Sequence, residues 1–344
     1  MHALTNLPFS FATFTFHLTA REKIELPEYK GSTFRGGFGH ALKQVWCLRP
    51  RGRVCEHCQN KTACAYSYIF ETPRAFGKDT YMQAENLPHP FVLVPPLTKT
   101  RQIFPGESFS FGLNLFGSGI QLVESFIYAF DQLGEIGIGP GHKKFSLQKV
   151  TNADGSLVWS REQEPGEGQV RVNNFGSCSS TSTSSCSGSG TSTSIATATA
   201  AATATATITA TAAVTLEFVT PTQILHQNRP VFDLNFEIFF RSLLRRASLL
   251  AEIHGGQKWE LDYKQIISNA CASVHATNRH FHRQDWERYS NRQERRMNIW
   301  GFAGRISFVG EIKPLLPLIK LGEHIHVGSK TSFGMGKYVV SGSR

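Results

Sequence analysis

Apolar and polar positions along the chain follow the same order of periods twice. Near the start, Phe9, Phe11, Phe14 and Phe16 stand among small polar residues, which predicts a half-buried strand over 9–18. The period then lengthens. Phe34, Phe38, Leu42 and Val45 recur at helical spacing and predict a helix over 32–46. Apolar runs at 91–94 and 108–116 predict two strands, and 121–133 predicts a second helix. After the turn GIGPGHKK comes a strand over 145–150. The later part repeats the series: a strand at 215–219, a helix at 236–253, strand material at 304–312, a helix at 315–321, a Gly-rich loop, and a last strand at 337–340.

Both parts therefore follow β-α-β-β-α-β, the ferredoxin-like (RRM-like) pattern, and the fold class expected is α+β with two such domains in tandem. LGEIGIG at 133–139 and LGEHIHVG at 321–328 fall at the same place after the second helix of each part, as a duplication would leave them. Between the parts lies an uncharged run, 172–216, made almost entirely of Ser, Thr, Ala and Gly. Its small apolar area cannot offset the entropy of ordering it, and it lacks the Leu, Ile, Val and Phe content of a membrane span, so it is expected to be a linker. The expected division is a first domain at 1–150 with a Cys-rich loop at 47–64, a linker at 151–214, and a second domain at 215–344. No charged, apolar secretory leader is visible at the start, and a soluble cytoplasmic protein is expected.

The 344 residues suffice for two cores, and 40% hydrophobic against 18% charged residues excludes a disordered chain. An excess of 36 Lys+Arg over 26 Asp+Glu, +10 in all, favours an anionic partner, with nucleic acid first among the candidates.

Four segments carry residues suited to chemistry. In YKGSTFRGGFGHALKQ, residues 29–44, Gly31, Gly36, Gly37 and Gly39 permit close approach of a backbone or ligand, and Arg35 and Lys43 add charge. His40 and Lys43 are i and i+3 on a helix, an arrangement fit for general acid–base work beside an electrostatic clamp. The alternative is that the glycines pack the helix and His40 merely faces solvent. Cys47, Cys55, Cys58 and Cys64, spaced C-x7-C-x2-C-x5-C, have the reach of a structural zinc site; free thiols, disulfides and an iron–sulfur cluster are the other possibilities. Residues 278–301 interleave six Arg with Phe281, Trp286 and Tyr289, which suits phosphate contact and base stacking, or else a solvated helix or hairpin. The final GEHIHVGSKTSFGMGKYVV is a basic Gly-rich loop whose N–H groups are candidates for phosphate contact, though it lacks the GxxxxGK[ST] of a P-loop. The candidate RNA-contacting set is Arg35, Arg288, Arg292, Arg295, Arg296, Lys330, Lys337, Gly334 and Gly336.

GSTFRGGFGHAL, C-x2-C-x5-C-x-Y-x3-FETP, HPFVLVPP, DW-x2-Y-x2-RQ-x2-RM and HVG-x3-SFGMG together resemble one group of precursor-RNA-processing endoribonucleases in the RAMP superfamily of CRISPR systems. The resemblance spans about 8–150 and 216–340 and omits the linker. It implies a metal-independent cut in CRISPR repeat RNA, leaving a 2′,3′-cyclic phosphate and a 5′-hydroxyl, with no cofactor in catalysis. The guide RNA then passes to other CRISPR effector subunits. Carried onto this chain, the resemblance implies His40 as the catalytic residue, with Tyr29 and Lys43 as companions and His326 as a rival. A non-catalytic RAMP subunit holding guide RNA and a zinc-stapled RNA-binding module are the alternatives.

Overall fold

The computed structural model describes residues 9–47, 55, 58–72, 87–162, 168–175, 212–290 and 295–341, with side chains described outside 287–298. The first half contains β1 (Ser10–Ala20), β2 (Ile24–Glu25), α1 (Gly31–Trp46), β3 (Phe91–Val94), β4 (Gln102–Ile103), β5 (Ser108–Phe116), α2 (Val123–Ile136), β6 (Phe145–Asn152), β7 (Leu157–Ser160) and β8 (Asn173–Asn174). The second contains β9 (Ala212–Thr222), β10 (Ile224–His226), β11 (Arg229–Val231), α3 (Phe236–Gly255), α4 (Tyr263–Ser273), β12 (Val274–Ser290), β13 (Arg295–Gly310), α5 (Leu316–Ile325) and β14 (Tyr338–Ser341).

The first sheet runs β3-β5-β1-β6-β7, with β8 beside β1, and the second runs β12-β13-β9-β14. In each the strand that opens the half lies inside, flanked by the strand before the second helix and by the one after it, and every pairing is antiparallel. This is the ferredoxin-like order, twice. Alternation along β1 sends Phe14, Phe16 and Leu18 to the helix side, where Phe38 of α1 stacks on Phe126 and Phe130 of α2 at 4.8 and 5.0 Å. Phe9, Val92 and Phe116 of the first half are buried in the core of the second, so the halves share apolar packing.

The expected start of the linker at 151 is corrected. Asn152 donates from its backbone to Ser156 O (2.8 Å), Gly155 takes φ +83°, and Asp154 Oδ1 accepts from Ser156 N (3.0 Å). NADGS is therefore a hairpin turn, and it returns the chain as β7 onto β6. The rest of the Ser/Thr/Ala segment, 176–211, lies outside the described residues.

The described residues of 278–301, singled out above as a candidate RNA-binding stretch, belong to the paired strands β12 and β13. β13 pairs with β9 only from Phe302 to Gly310, whereas it pairs with β12 from Arg295 onward, so the outer parts of the two strands form a two-stranded arm beyond the sheet. Among the described residues no helix is long and apolar enough to cross a membrane.

Candidate active site

Helix α1 meets the terminal Gly-rich loop at its N-terminal end. Gly31 abuts the Phe333 carbonyl so closely that a Cβ there would lie 1.9 Å from the oxygen. Tyr29 donates its hydroxyl to the same carbonyl (2.7 Å), and its ring packs on Trp286 of the arm, 5.0 Å between centroids. Burial pushes the Tyr29 hydroxyl well above its ordinary pKa. The Arg35 guanidinium sits between the rings of Phe70 (4.2 Å) and Phe333 (4.3 Å), and its Nε donates to Ser332 Oγ (3.1 Å). Both residues tie the halves together. Tyr29 and Arg35, both partly buried, thus make contacts across the seam between the halves.

The loop's glycines serve the same closure. Gly334 and Gly336 have φ of +86° and +76°, open to glycine at little cost. The Gly334 N–H goes to Thr331 O (2.8 Å) and the Gly336 N–H to Pro221 O (3.1 Å). These two amides are engaged within the protein. Lys330 donates to Gln223 Oε1 (2.7 Å), and burial lowers the pKa of Lys337, with Glu323 opposing. His326, the rival catalytic residue, is 0% exposed. Its Nδ1 donates to Met335 O (3.0 Å), and burial holds its pKa well below the ordinary value.

Beneath the loop lies a polar seam that sequence reasoning missed. Arg35 Nη2 lies 3.3 Å from His89 Nε2, which fixes the other proton on Nδ1, 2.9 Å from Thr72 Oγ1. Tyr68 donates to His254 Nδ1 (2.8 Å), and His254 Nε2 donates to Pro88 O (2.9 Å). Arg246 Nε donates to Ile325 O at the last residue of α5 (2.6 Å). Burial first, then the neighbouring arginines and histidines, lowers His89 to about 3; burial lowers His254 to about 4. Isolated histidines in sequence offered no signal for this network, because its members come from five separate segments.

The other end of α1 is different. His40 is exposed, as are Gly36 and Gln44 on the same side of the helix. Nine residues separate it from Gly31 — about 14 Å along the axis and half a turn around — so it faces away from the seam. The Gln44 amide lies 2.9 Å from His40 Nε2, one turn on, and orients the ring. Lys43 stands over the Tyr66 ring at 5.8 Å. Of the three expected catalytic residues, the structure brings His40 and Lys43 to one stretch of helix and leaves Tyr29 apart.

Lys43 also faces the cysteines. Cys47, Cys55 and Cys64 lie within electrostatic reach of one another, burial raises the Cys55 thiol, and Cys58 is exposed. Among the described residues no group of three or more His, Cys, Asp or Glu stands close enough to hold a metal ion. Arg292 lies outside the described residues; Arg288, Arg295 and Arg296 lie on the arm's backbone, with no side-chain account.

The chain thus consists of two antiparallel ferredoxin-like halves joined by a C-terminal Gly-rich loop, with a solvent-facing histidine on the first helix. Residues 216–338 match the family model of CRISPR-associated endoribonuclease Cas6, and residues 7–174 match that of an N-terminal domain, AF_1859_N. The second half is thus a domain of the Cas6 family of CRISPR-associated endoribonucleases. An uncharacterized protein of Archaeoglobus fulgidus is 23% identical over 319 residues, covering 91% of this chain and 92% of its own length. The fold is shared with a Cas6 product complex (TM-score 0.52, 16% identity, 96% of this chain and 99% of that one). It is shared too with a partial Cas6-RT-Cas1–Cas2 complex (TM-score 0.53, 11% identity, 97% of this chain and 46% of that one).

Proposed function

We propose that the chain cleaves CRISPR repeat RNA by transesterification, with His40 as an acid–base group and no metal in the reaction. The observation that carries this reading is the exposed His40 in a Cas6-related chain, on a helix face that holds Gln44 and no acid. The 2′-hydroxyl oxygen attacks the adjacent phosphorus and loses its proton to a base, while the bond from phosphorus to the 5′-oxygen breaks and that oxygen is protonated. The products are a 2′,3′-cyclic phosphate and a 5′-hydroxyl. An imidazole can take or give either proton near neutral pH, and a nearby ammonium such as Lys43 steadies the phosphorane charge. Because the nucleophile belongs to the substrate, no water needs activating by a metal. The product passes on as guide RNA, with other CRISPR effector subunits as its recipients.

The arm supplies RNA contacts in this reading. Arg283 is already bound to Asp285 (2.8 Å) and stacked over Trp300 (4.8 Å), so Arg295 and Arg296 at the outer end of β13, with Arg292 close to them in sequence, are the better phosphate ligands. Replacing all three by Ala is expected to weaken repeat-RNA binding and to flatten the slope of log affinity against log salt by about 2. Fluorescence titrations across a salt series check this; an unchanged slope assigns the arginines to a solvated surface.

A further inference from the structure

Three of the four glycines in α1 are explained by their neighbours. A Cβ on Gly31 would lie 1.9 Å from Phe333 O, one on Gly39 2.3 Å from the Phe70 ring, and one on Gly37 3.0 Å from Leu133 Cδ1. Gly36 is different: among the described residues nothing lies within 4 Å of such an atom. Its φ is not in the left-handed region, so no turn requires glycine there either. Glycine inside an exposed helix disfavours that helix relative to alanine, and at residue 36 no packing among the described residues accounts for it.

Position decides what the bare backbone can serve. Gly36 is one turn before His40, and helical side chains lean toward the N-terminus over the turn that precedes them. The open space above Gly36 therefore lies on the N-terminal side of His40, whose ring is held from the other side by Gln44. No acidic residue occurs anywhere in α1, and Lys43 follows on the same helix, so an anionic strand meets no repulsion there. We propose that Gly36 seats the sugar–phosphate backbone of the RNA at the scissile step, its missing side chain leaving room for the reacting phosphate beside His40. The proposal rests on the reading of His40 as the acid–base residue.

Gly36→Ala and Gly36→Leu test it, with Gly37→Ala as the packed control and His40→Ala alongside. Each is measured for melting temperature and for single-turnover cleavage of repeat RNA with enzyme in excess. The expected melting temperature of Gly36→Ala is at or about 1–2 °C above that of the wild type, because alanine favours the helix. Its cleavage rate is expected to fall about tenfold and that of Gly36→Leu about 10²-fold, since displacing reacting atoms by about an ångström costs that order. Stability gained and cleavage lost in one substitution is not what a packing role produces. A Gly36→Leu protein that folds and cuts at the wild-type rate, while His40→Ala is impaired, overturns the seat and leaves the acid–base assignment standing. A Gly36→Ala protein that loses as much melting temperature as Gly37→Ala also overturns it. If His40→Ala cuts at the wild-type rate, the reading beneath falls and the seat with it.

Discussion

His40→Ala lowers the single-turnover rate of repeat-RNA cleavage by about 10²–10⁴-fold, the usual contribution of a positioned acid–base group, and leaves RNA affinity nearly unchanged. The separation of rate from affinity follows from geometry. His40 lies on the solvent face of α1, away from the Tyr29 and Arg35 contacts that join the halves, so its removal opens no core and breaks no interdomain bond. Lys43→Ala costs less, because an ammonium that only stabilises charge is partly replaced by other cations. His326→Ala acts through stability instead, since that ring is fully buried and held by Met335 O. Single-turnover kinetics with a parallel binding titration separates these outcomes. A dead His326→Ala protein of native stability, beside an active His40→Ala protein, contradicts the assignment.

The second large effect is acid destabilisation of the seam. His89 and His254 have folded pKa values of about 3 and about 4, both below the ordinary imidazole value of 6.5. Below pH 6.5 the unfolded chain therefore binds protons that the native chain refuses, and stability falls with pH until the folded pKa values are passed. Between pH 7 and pH 5 the fully buried His254 contributes a loss of about 2 kcal/mol, and the part-buried His89 no more than that. Positive charge arriving beside Arg35 and Arg246 separates the halves at their joint. Denaturant midpoints at the two pH values check this: the wild type is expected to lose more stability on acidification than His254→Gln. Equal losses contradict the account of the seam.

How much of this was legible in the sequence depends on whether the signal was local. The strands at 91–94 and 108–116 and the helix ending at Trp46 fall where periodicity puts them, because single faces of Phe, Leu and Val report burial directly. The opening strand extends to Ala20, and β13 begins nine residues before the expected strand, because charged residues on an exposed arm mask its two-residue alternation. Helix α4 was missed in a weakly apolar stretch, although Asp262, whose carboxylate accepts from Gln265 N (3.0 Å), marks its start with a cap of standard type.

The site was legible only in part. The 29–44 motif located His40 correctly on a helix, but linear spacing could not show that Tyr29 and Arg35 turn inward to the loop while His40 turns outward. Glycine was ambiguous for the same reason. Gly334 and Gly336 look like a phosphate cradle in one dimension, and only the hydrogen bonds of their amides assign them to the fold. The histidines of the seam carried no signal, since His89 and His254 meet through Tyr68, Thr72 and Arg35 from elsewhere in the chain.

The measurement that bears most directly on the central claim is cleavage of repeat RNA in excess EDTA, with a second substrate whose scissile nucleotide carries hydrogen in place of the 2′-hydroxyl. The account predicts undiminished cutting of the first in EDTA, a 2′,3′-cyclic phosphate on its upstream product, and no cutting of the second. Loss of activity in EDTA that returns with added metal, or cleavage of the deoxy substrate, contradicts it.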